Sequence, residues 1–322
     1  MVSVGIDAGT KSYGVFVLEE GEHYEFSSSK VKESPEDFVE FLQSLDFDVA
    51  AGLSGYGLPV KRLYEISEKE FALMTLNFDR EQSLGMRRVI ELLREKRLNI
   101  HTIPAVIHLP TVPDCRKVNR IDMGTYDKVC SVAYVLHEFG VDETFILAEL
   151  GYGFNAFIAV EEGRIVDGIG GTSGFPGYSS ISAIDGELAY LMGRITKDVI
   201  FSGGLKSYFE ARGKDFDADV FAEWVMKGIR ALTAVVDAKK VYLSGRFAGA
   251  VAERVGEHFE VVDLSHAGGK VSAIGAAVIA NGYAGKEGRE VVERLELMRA
   301  SGTVLDHLTP DVRKRIRFDH NF

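Results

Sequence analysis

Cysteine, proline and tryptophan are scarce in this chain, with 2, 7 and 1 copies in 322 residues. Two cysteines, Cys115 and Cys130, cannot build a disulfide framework or a zinc site by themselves. Such usage fits a reducing compartment. The N-terminus, Met1-Val2-Ser3-Val4-Gly5-Ile6-Asp7, runs at once into a strand pattern, without a basic segment and a cleavable apolar stretch. A cytoplasmic location is therefore expected. No apolar run reaches the roughly 18–20 residues needed to cross a bilayer. Excess positive charge is missing too: the formal net charge is −11, whereas nucleic-acid and anionic-membrane binders need a basic face. Neither kind of partner is expected. The eight histidines share no ligand spacing on a helix face, which argues against a histidine metal centre.

What is present is a globular composition, 46% hydrophobic with 34 glycines, and an internal repeat. Val4-Gly-Ile-Asp7-Ala-Gly9-Thr10 aligns without a gap on Ile146-Leu-Ala-Glu149-Leu-Gly151-Tyr152. Further on, Glu19-Glu20-Gly21 aligns on Glu161-Glu162-Gly163 in the same register. Each copy reads as a strand, an acidic residue, a Gly-bearing turn, a second strand (Tyr13 to Leu18; Asn155 to Val160), a Glu-Glu-Gly turn and a third strand.

After each copy, helices and strands alternate. Helical periodicity runs over Pro35 to Leu45, Glu81 to Arg97 and Thr125 to Phe139 in the first half, with strands at Asp48 to Leu53 and Asn99 to Ile103. In the second half helices are expected over Ala183 to Met192, Asp217 to Val236, Phe247 to His258 and Val271 to Asn281, with strands at Val241 to Leu243 and Val261 to Leu264. Such alternation predicts α/β layers with mostly parallel sheet cores. The expected division is residues 1–143, residues 144–284 and a partly helical tail, 285–322, packed back on the body.

A Gly-bearing turn after a buried strand exposes backbone N–H groups and makes an anion cradle. The candidates are Ala8-Gly9-Thr10-Lys11 and Leu150-Gly151-Tyr152-Gly153. Asp7 and Glu149 stand beside these cradles, and two such carboxylates suit Mg²⁺ that keeps its waters and shares phosphate oxygens. Thr10 and Lys11 can add a hydroxyl and a cation. Tyr56 and Tyr178, in Gly-rich loops, could stack on a base or line a pocket. Taken singly, each turn is equally well a plain hairpin; the duplication is what favours a shared role.

Ile6-Asp7-Ala8-Gly9-Thr10 resembles the first phosphate motif of the actin, sugar kinase and Hsp70 superfamily, and Leu150-Gly151-Tyr152-Gly153 its second. Val241-Tyr-Leu-Ser244-Gly245-Arg246 resembles its adenosine motif, and Ser272-Ala-Ile-Gly275-Ala276-Ala277 its closing hinge helix. The resemblance implies duplicated actin-like, ribonuclease H-like α/β domains that bind ATP with Mg²⁺ in a cleft. Gly9, Thr10, Lys11, Gly151, Gly153, Gly245 and Arg246 would contact the nucleotide. The middle of the chain is similar to acetate and butyrate kinases: Ala148 to Gly153 with Gly163 to Gly168, Arg120 to Lys128, and Ala183 to Met192. The whole pattern looks like an archaeal family labelled predicted butyrate kinase. This implies a phosphotransferase acting on a small molecule, a carboxylate first of all, and allows a homodimer.

The chain departs from those kinases at three places. Ser180-Ile181-Ser182 lacks their arginine, Met123 stands where they have a histidine, and Asp7 replaces their asparagine. Phosphoryl transfer relies on cations that stabilise spread negative charge, so replacements are to be sought. Arg62, after Gly55-Tyr56-Gly57-Leu58-Pro59, with Lys61 beside it, and Arg116 and Arg120 are candidates to grip a carboxylate. Asp122 and Asp127 are the acids expected near an acceptor, although Asp127 with Lys128 equally fits ordinary first-turn helix charges. Two other readings stay open: a nucleotide-dependent switch or ATPase acting on a protein partner, and a sugar or polyol kinase with Asp122 or Asp127 as base.

Overall fold

The computed structural model describes residues 1–76 and 84–316. It contains two five-stranded mixed sheets of the same topology. The first is built from β1 (Ser3–Ala8), β2 (Ser12–Val17), β3 (Glu22–Ser27), β4 (Val49–Gly52) and β5 (Ile100–His101), in the order β3-β2-β1-β4-β5. The second uses β6 (Phe145–Leu150), β7 (Asn155–Glu161), β8 (Arg164–Ile169), β9 (Lys240–Ser244) and β10 (Glu260–Asp263), in the order β8-β7-β6-β9-β10. In both, the central strand pairs antiparallel with the next strand and parallel with the strand that follows a helical crossover.

The repeat seen in the sequence is a repeat of register. Asp7 lies opposite Gly14 in the first hairpin and Glu149 opposite Ala156 in the second; Val4 lies opposite Val17 and Ile146 opposite Ala159. Both distal turns place glycine in the left-handed region, Gly21 at φ 68° and Gly163 at φ 72°, where a side chain is strained.

The chain forms two compact units. One comprises residues 1–121, 125–141 and 268–322, the other residues 122–124 and 142–267. The sequence grouping of 144–284 is therefore divided: the helix Val271–Tyr283 belongs to the first unit. The cause is steric. A Cβ on Gly5 of β1 would stand 2.0 Å from the Ala273 carbonyl oxygen, and one on Gly275 would stand 1.8 Å from that of Cys130. Only small residues let this helix lie backbone to backbone on β1 and on the helix Tyr126–Phe139. The first unit's core includes Val4, Ile6, Val15, Phe38 and Leu42, each 2% exposed or less. Burying side chains of this size contributes about 1.5–3 kcal/mol apiece. The second core is formed by Ile146, Ala148, Phe157, Phe221, Val225 and Val241.

The longer helices match their periodic patterns: Pro35–Ser44, Tyr126–Phe139, Ala218–Leu232, Ala248–Gly256 and Val271–Tyr283. The helix expected from Glu81 is described as Leu84–Lys96, its first three residues lying outside the described residues. Ala183 to Met192 shortens to Gly186–Met192, because Asp185 caps it by accepting from the Glu187 and Leu188 amides. In the tail, Val291, Val292, Leu295 and Leu297 are buried, and Gly288 abuts the Val278 carbonyl of the Val271–Tyr283 helix. No described helix is long and apolar enough to cross a membrane.

Candidate phosphate loops

Each central strand ends in the turn that the sequence marks. In the first unit the Gly9 amide donates to the Ser12 carbonyl at 3.0 Å; in the second the Gly151 amide donates to the Phe154 carbonyl at 3.0 Å. Two equivalent bonds in equivalent registers define one turn built twice. The first is braced by Ser28, whose hydroxyl donates to the Gly9 carbonyl at 2.9 Å and whose amide donates to the Lys11 carbonyl at 3.0 Å. Thr10 and Lys11 are exposed at its tip.

Asp7 sits below this turn and is 2% exposed. Its Oδ2 is 2.5 Å from the Nζ of Lys270, which also donates to the Ser12 carbonyl at 3.1 Å. Its Oδ1 faces the Tyr126 hydroxyl at 3.4 Å, and that hydroxyl accepts from the Ala8 amide at 3.0 Å. Burial raises the Tyr126 pKa well above the ordinary value, and the charges of Asp7 and Asp127 add to this, so the phenol stays protonated. Burial and then Asp7 likewise push Tyr13 up to about 12. Lys270 directly precedes the Val271–Tyr283 helix, which brings it to the loop from the far end of the sequence.

Asp127 lies one residue beyond Tyr126. Burial pushes its carboxyl up, but Lys128 at 2.5 Å, the Thr125 hydroxyl and the charge of Lys270 together hold it below the usual range. It remains ionised near neutral pH: able to accept a hydrogen bond, weak as a base.

In the second unit the turn is lined differently. Tyr152 packs edge-on against Tyr178 with centroids 5.4 Å apart, and the guanidinium of Arg246 lies 5.9 Å from the Tyr152 ring. Tyr178 also meets Phe247 at 4.8 Å, and Phe247 stacks on Phe216 at 5.4 Å. Gly245, at φ 90°, follows β9, and a Cβ there would stand 2.5 Å from the Leu150 carbonyl, so the candidate adenosine turn touches the end of β6. Gly153 is held by the Ser180 amide, which donates to its carbonyl at 3.2 Å. Glu149 is half-buried at the strand end.

Among the described residues no group of three or more His, Cys, Asp and Glu side chains could hold a metal ion. Of the two carboxylates suggested for magnesium, Glu149 stands half-buried at the end of β6. Asp7 does not fit direct ligation in this arrangement, because Lys270 already takes one of its oxygens.

The remaining candidates are dispersed. Asp122 belongs to the second unit: its carboxylate accepts from the Thr172 amide at 2.8 Å, the Thr172 hydroxyl at 2.9 Å and the Gly124 amide at 3.1 Å. It clamps the Gly170–Ser173 turn, and three donors leave it little capacity for a substrate proton. Arg62 is exposed and donates to the Tyr64 hydroxyl at 2.8 Å; Lys61 pairs with Glu70 at 2.7 Å. Arg120 is exposed in the loop before Tyr126–Phe139, and Arg116 is half-buried in the short helix Asp114–Lys117 ahead of it. Sequence reasoning did not reach Lys270. Its one local signal is the Gly268-Gly269-Lys270 run before a small-residue helix.

Paired sheets with duplicated turns define a two-domain actin-like α/β fold. The chain belongs to the family described as "Protein of unknown function (DUF1464)", whose model matches residues 5–310. No curated protein matches it. Among solved structures it is similar to acetate kinase from Entamoeba histolytica, with TM-score 0.54 and 13% identity over 80% of this chain and 87% of that one. A ROK hexokinase from Thermus thermophilus aligns with TM-score 0.46 and 14% identity over 89% of this chain and 100% of that one. A ROK family glucokinase from Streptomyces griseus, in complex with glucose and AMPPNP, aligns with TM-score 0.46 and 16% identity over 87% and 99%.

Proposed function

We propose that the protein is an ATP-dependent phosphotransferase whose acceptor is a small metabolite, a carboxylate of the acetate or butyrate type first of all. The observation that carries this reading is the turn built twice, closing the end of each central strand with an equivalent amide-to-carbonyl bond. Backbone amides without side chains in front of them bind phosphate oxygens. In the first unit, Gly9, Thr10 and Lys11 would contact nucleotide phosphate. In the second, Gly151 and Gly153 would contact nucleotide phosphate, with Gly245, Arg246 and the aromatic group around Tyr178 beside the nucleoside. Mg²⁺ entering with the nucleotide would offset phosphate charge, with Glu149 contacting its waters. Exposed Arg62 and Arg120 are the candidates to grip an acceptor carboxylate in a two-pronged contact. The carboxylate acceptor rests on the resemblance of the segments 120–128, 148–153, 163–168 and 183–192 to acetate and butyrate kinases.

A second reading, a nucleotide-dependent switch or ATPase acting on a protein partner, is favoured by one feature. Where the carboxylate kinases have arginine, Ser180 is fully buried and donates to the Phe201 carbonyl at 3.4 Å, so this segment supplies no cation. ADP release from ATP and Mg²⁺, measured across short carboxylates, sugars and polyols, separates the two. Stimulation by a carboxylate is expected. Turnover indifferent to every acceptor would overturn the kinase reading in favour of the switch.

A further inference from the structure

Resting on the phosphotransferase reading, we infer that Lys270 is the protein cation that meets the terminal phosphates in the first loop, and that Asp7 positions this lysine instead of ligating magnesium. The ammonium occupies the space that the missing side chain of Gly9 leaves open: a Cβ on Gly9 would stand 2.4 Å from Nζ. Gly14, on the facing strand, keeps a second opening for the same side chain, since its Cβ would stand 3.1 Å from the Lys270 Cδ. Two glycines on one hairpin therefore make room for one lysine. The head is then fixed by Asp7 Oδ2 at 2.5 Å and the Ser12 carbonyl at 3.1 Å. Its main chain is fixed as well, the Lys270 amide donating to His23 Nε2 at 3.4 Å with Gly269 against the same ring.

Burial separates the two partners. The Asp7 side chain is 3% exposed and that of Lys270 31% exposed, so the carboxylate is enclosed by protein while the lysine side chain stays partly open to solvent. An anion drawn to the Gly9 turn meets Nζ there. A carboxylate already neutralised by lysine has little charge to offer a divalent ion, and an ammonium held in a loop is a point charge well suited to phosphate. The lysine also supplies a cation in a chain whose segment 180–182 carries no arginine.

The test is calorimetric titration of AMPPNP and AMP into the full chain, with Mg²⁺ and with EDTA. Lys270→Met alone would strand a buried carboxylate and endanger folding, so the informative variants are the double variant Asp7→Asn/Lys270→Met and the charge-preserving Lys270→Arg, each checked by thermal melting. Losing one charged contact to phosphate predicts roughly 10- to 100-fold weaker AMPPNP binding in the double variant, with AMP binding little changed. Lys270→Arg should retain most of the affinity, and wild type should keep EDTA-resistant AMPPNP binding that the double variant loses. AMPPNP binding by a folded double variant as tight as wild type, or tighter, would overturn the inference and leave the phosphotransferase reading standing. Wild type that binds no nucleotide under either condition would overturn that reading, and this inference with it.

Discussion

The two Gly-bearing turns share a register and a hydrogen bond, yet they are furnished in opposite ways. Around Gly9 the first unit places charge: Asp7 and Lys270, with Asp127 close enough to feel the lysine. Around Gly151 the second places rings: Tyr152, Tyr178, Phe247 and Phe216. Even the glycines are demanded differently. A Cβ on Gly9 meets Lys270 at 2.4 Å and the Ser12 carbonyl at 2.9 Å, whereas a Cβ on Gly151 finds the Phe154 carbonyl no nearer than 3.1 Å. Duplication has kept the backbone and let the side chains diverge, towards charge in one copy and rings in the other.

The divergence extends to the central strands, where the largest effect is expected. The position of Gly5 in β1 is that of Leu147 in β6. Gly5→Ala drives a methyl into the backbone of Val271–Tyr283 and should cost about 3 kcal/mol, at the upper end for overpacking, because backbone cannot step aside. Leu147→Ala, in a fully buried position, should cost a similar 2–5 kcal/mol for the opposite reason, a cavity. Chemical denaturation of the two variants checks both; a neutral Gly5→Ala would break the steric account of the first unit.

Next comes Asp122. Asp122→Ala removes the acceptor of three donors and should destabilise the second unit by roughly 2–3 kcal/mol, with faster hydrogen exchange at the Thr172 amide. Unchanged exchange at Thr172 would return Asp122 to the list of acids available to substrate.

A third prediction concerns acid. His108 is 3% exposed, its Nδ1 accepts from the Ala105 amide, and burial pushes its pKa down to about 4 from an ordinary 6.5. The fold therefore holds the neutral ring, and the unfolded chain binds the proton more readily. The corresponding stability is fully present above pH 6.5 and is lost as the pH falls towards 4, about 3 kcal/mol in all. Melting curves between pH 7 and 4 should show this slope in wild type and a shallower one in His108→Asn.

The smallest effect on stability, and the sharpest on the comparison, belongs to the glycines of the turns. Gly9→Ala should displace the flexible end of Lys270 and weaken AMPPNP binding roughly 10-fold, the loss of one charged contact. Gly151→Ala should weaken it less, since its neighbour needs to give by only a few tenths of an ångström. Equal losses at both positions would dissolve the distinction drawn here between a charged turn and an aromatic one.

Much of the fold is legible because it is periodic. The repeat announces itself through an acid, a glycine and a distal Glu-Glu-Gly turn in one register, and the long helices through their apolar spacing. Short helices escape this signal. Ser28–Glu33 and Glu68–Thr75 are too brief to show a period, although Ser67 and Glu70 form a capping box that marks the second. The small residues of Val271–Tyr283 predict a close crossing without naming the neighbour, because a residue without a side chain carries no direction. That is why the sequence alone groups this helix with residues 144–284. Lys270 was missed for the same reason: its link to Asp7 exists only once that helix lies on β1. Asp122 looked available to an acceptor because its principal donors, at Thr172, come from a distant turn that no local pattern connects to it.

The proposal that the two Gly-bearing turns bind nucleotide phosphate is tested most directly by the amide resonances of Gly9 and Gly151 in isotope-labelled protein titrated with AMPPNP. The account predicts that both shift along the same saturation curve, and that AMP leaves Gly9 unmoved. Movement of Gly151 alone, or of neither, would contradict it.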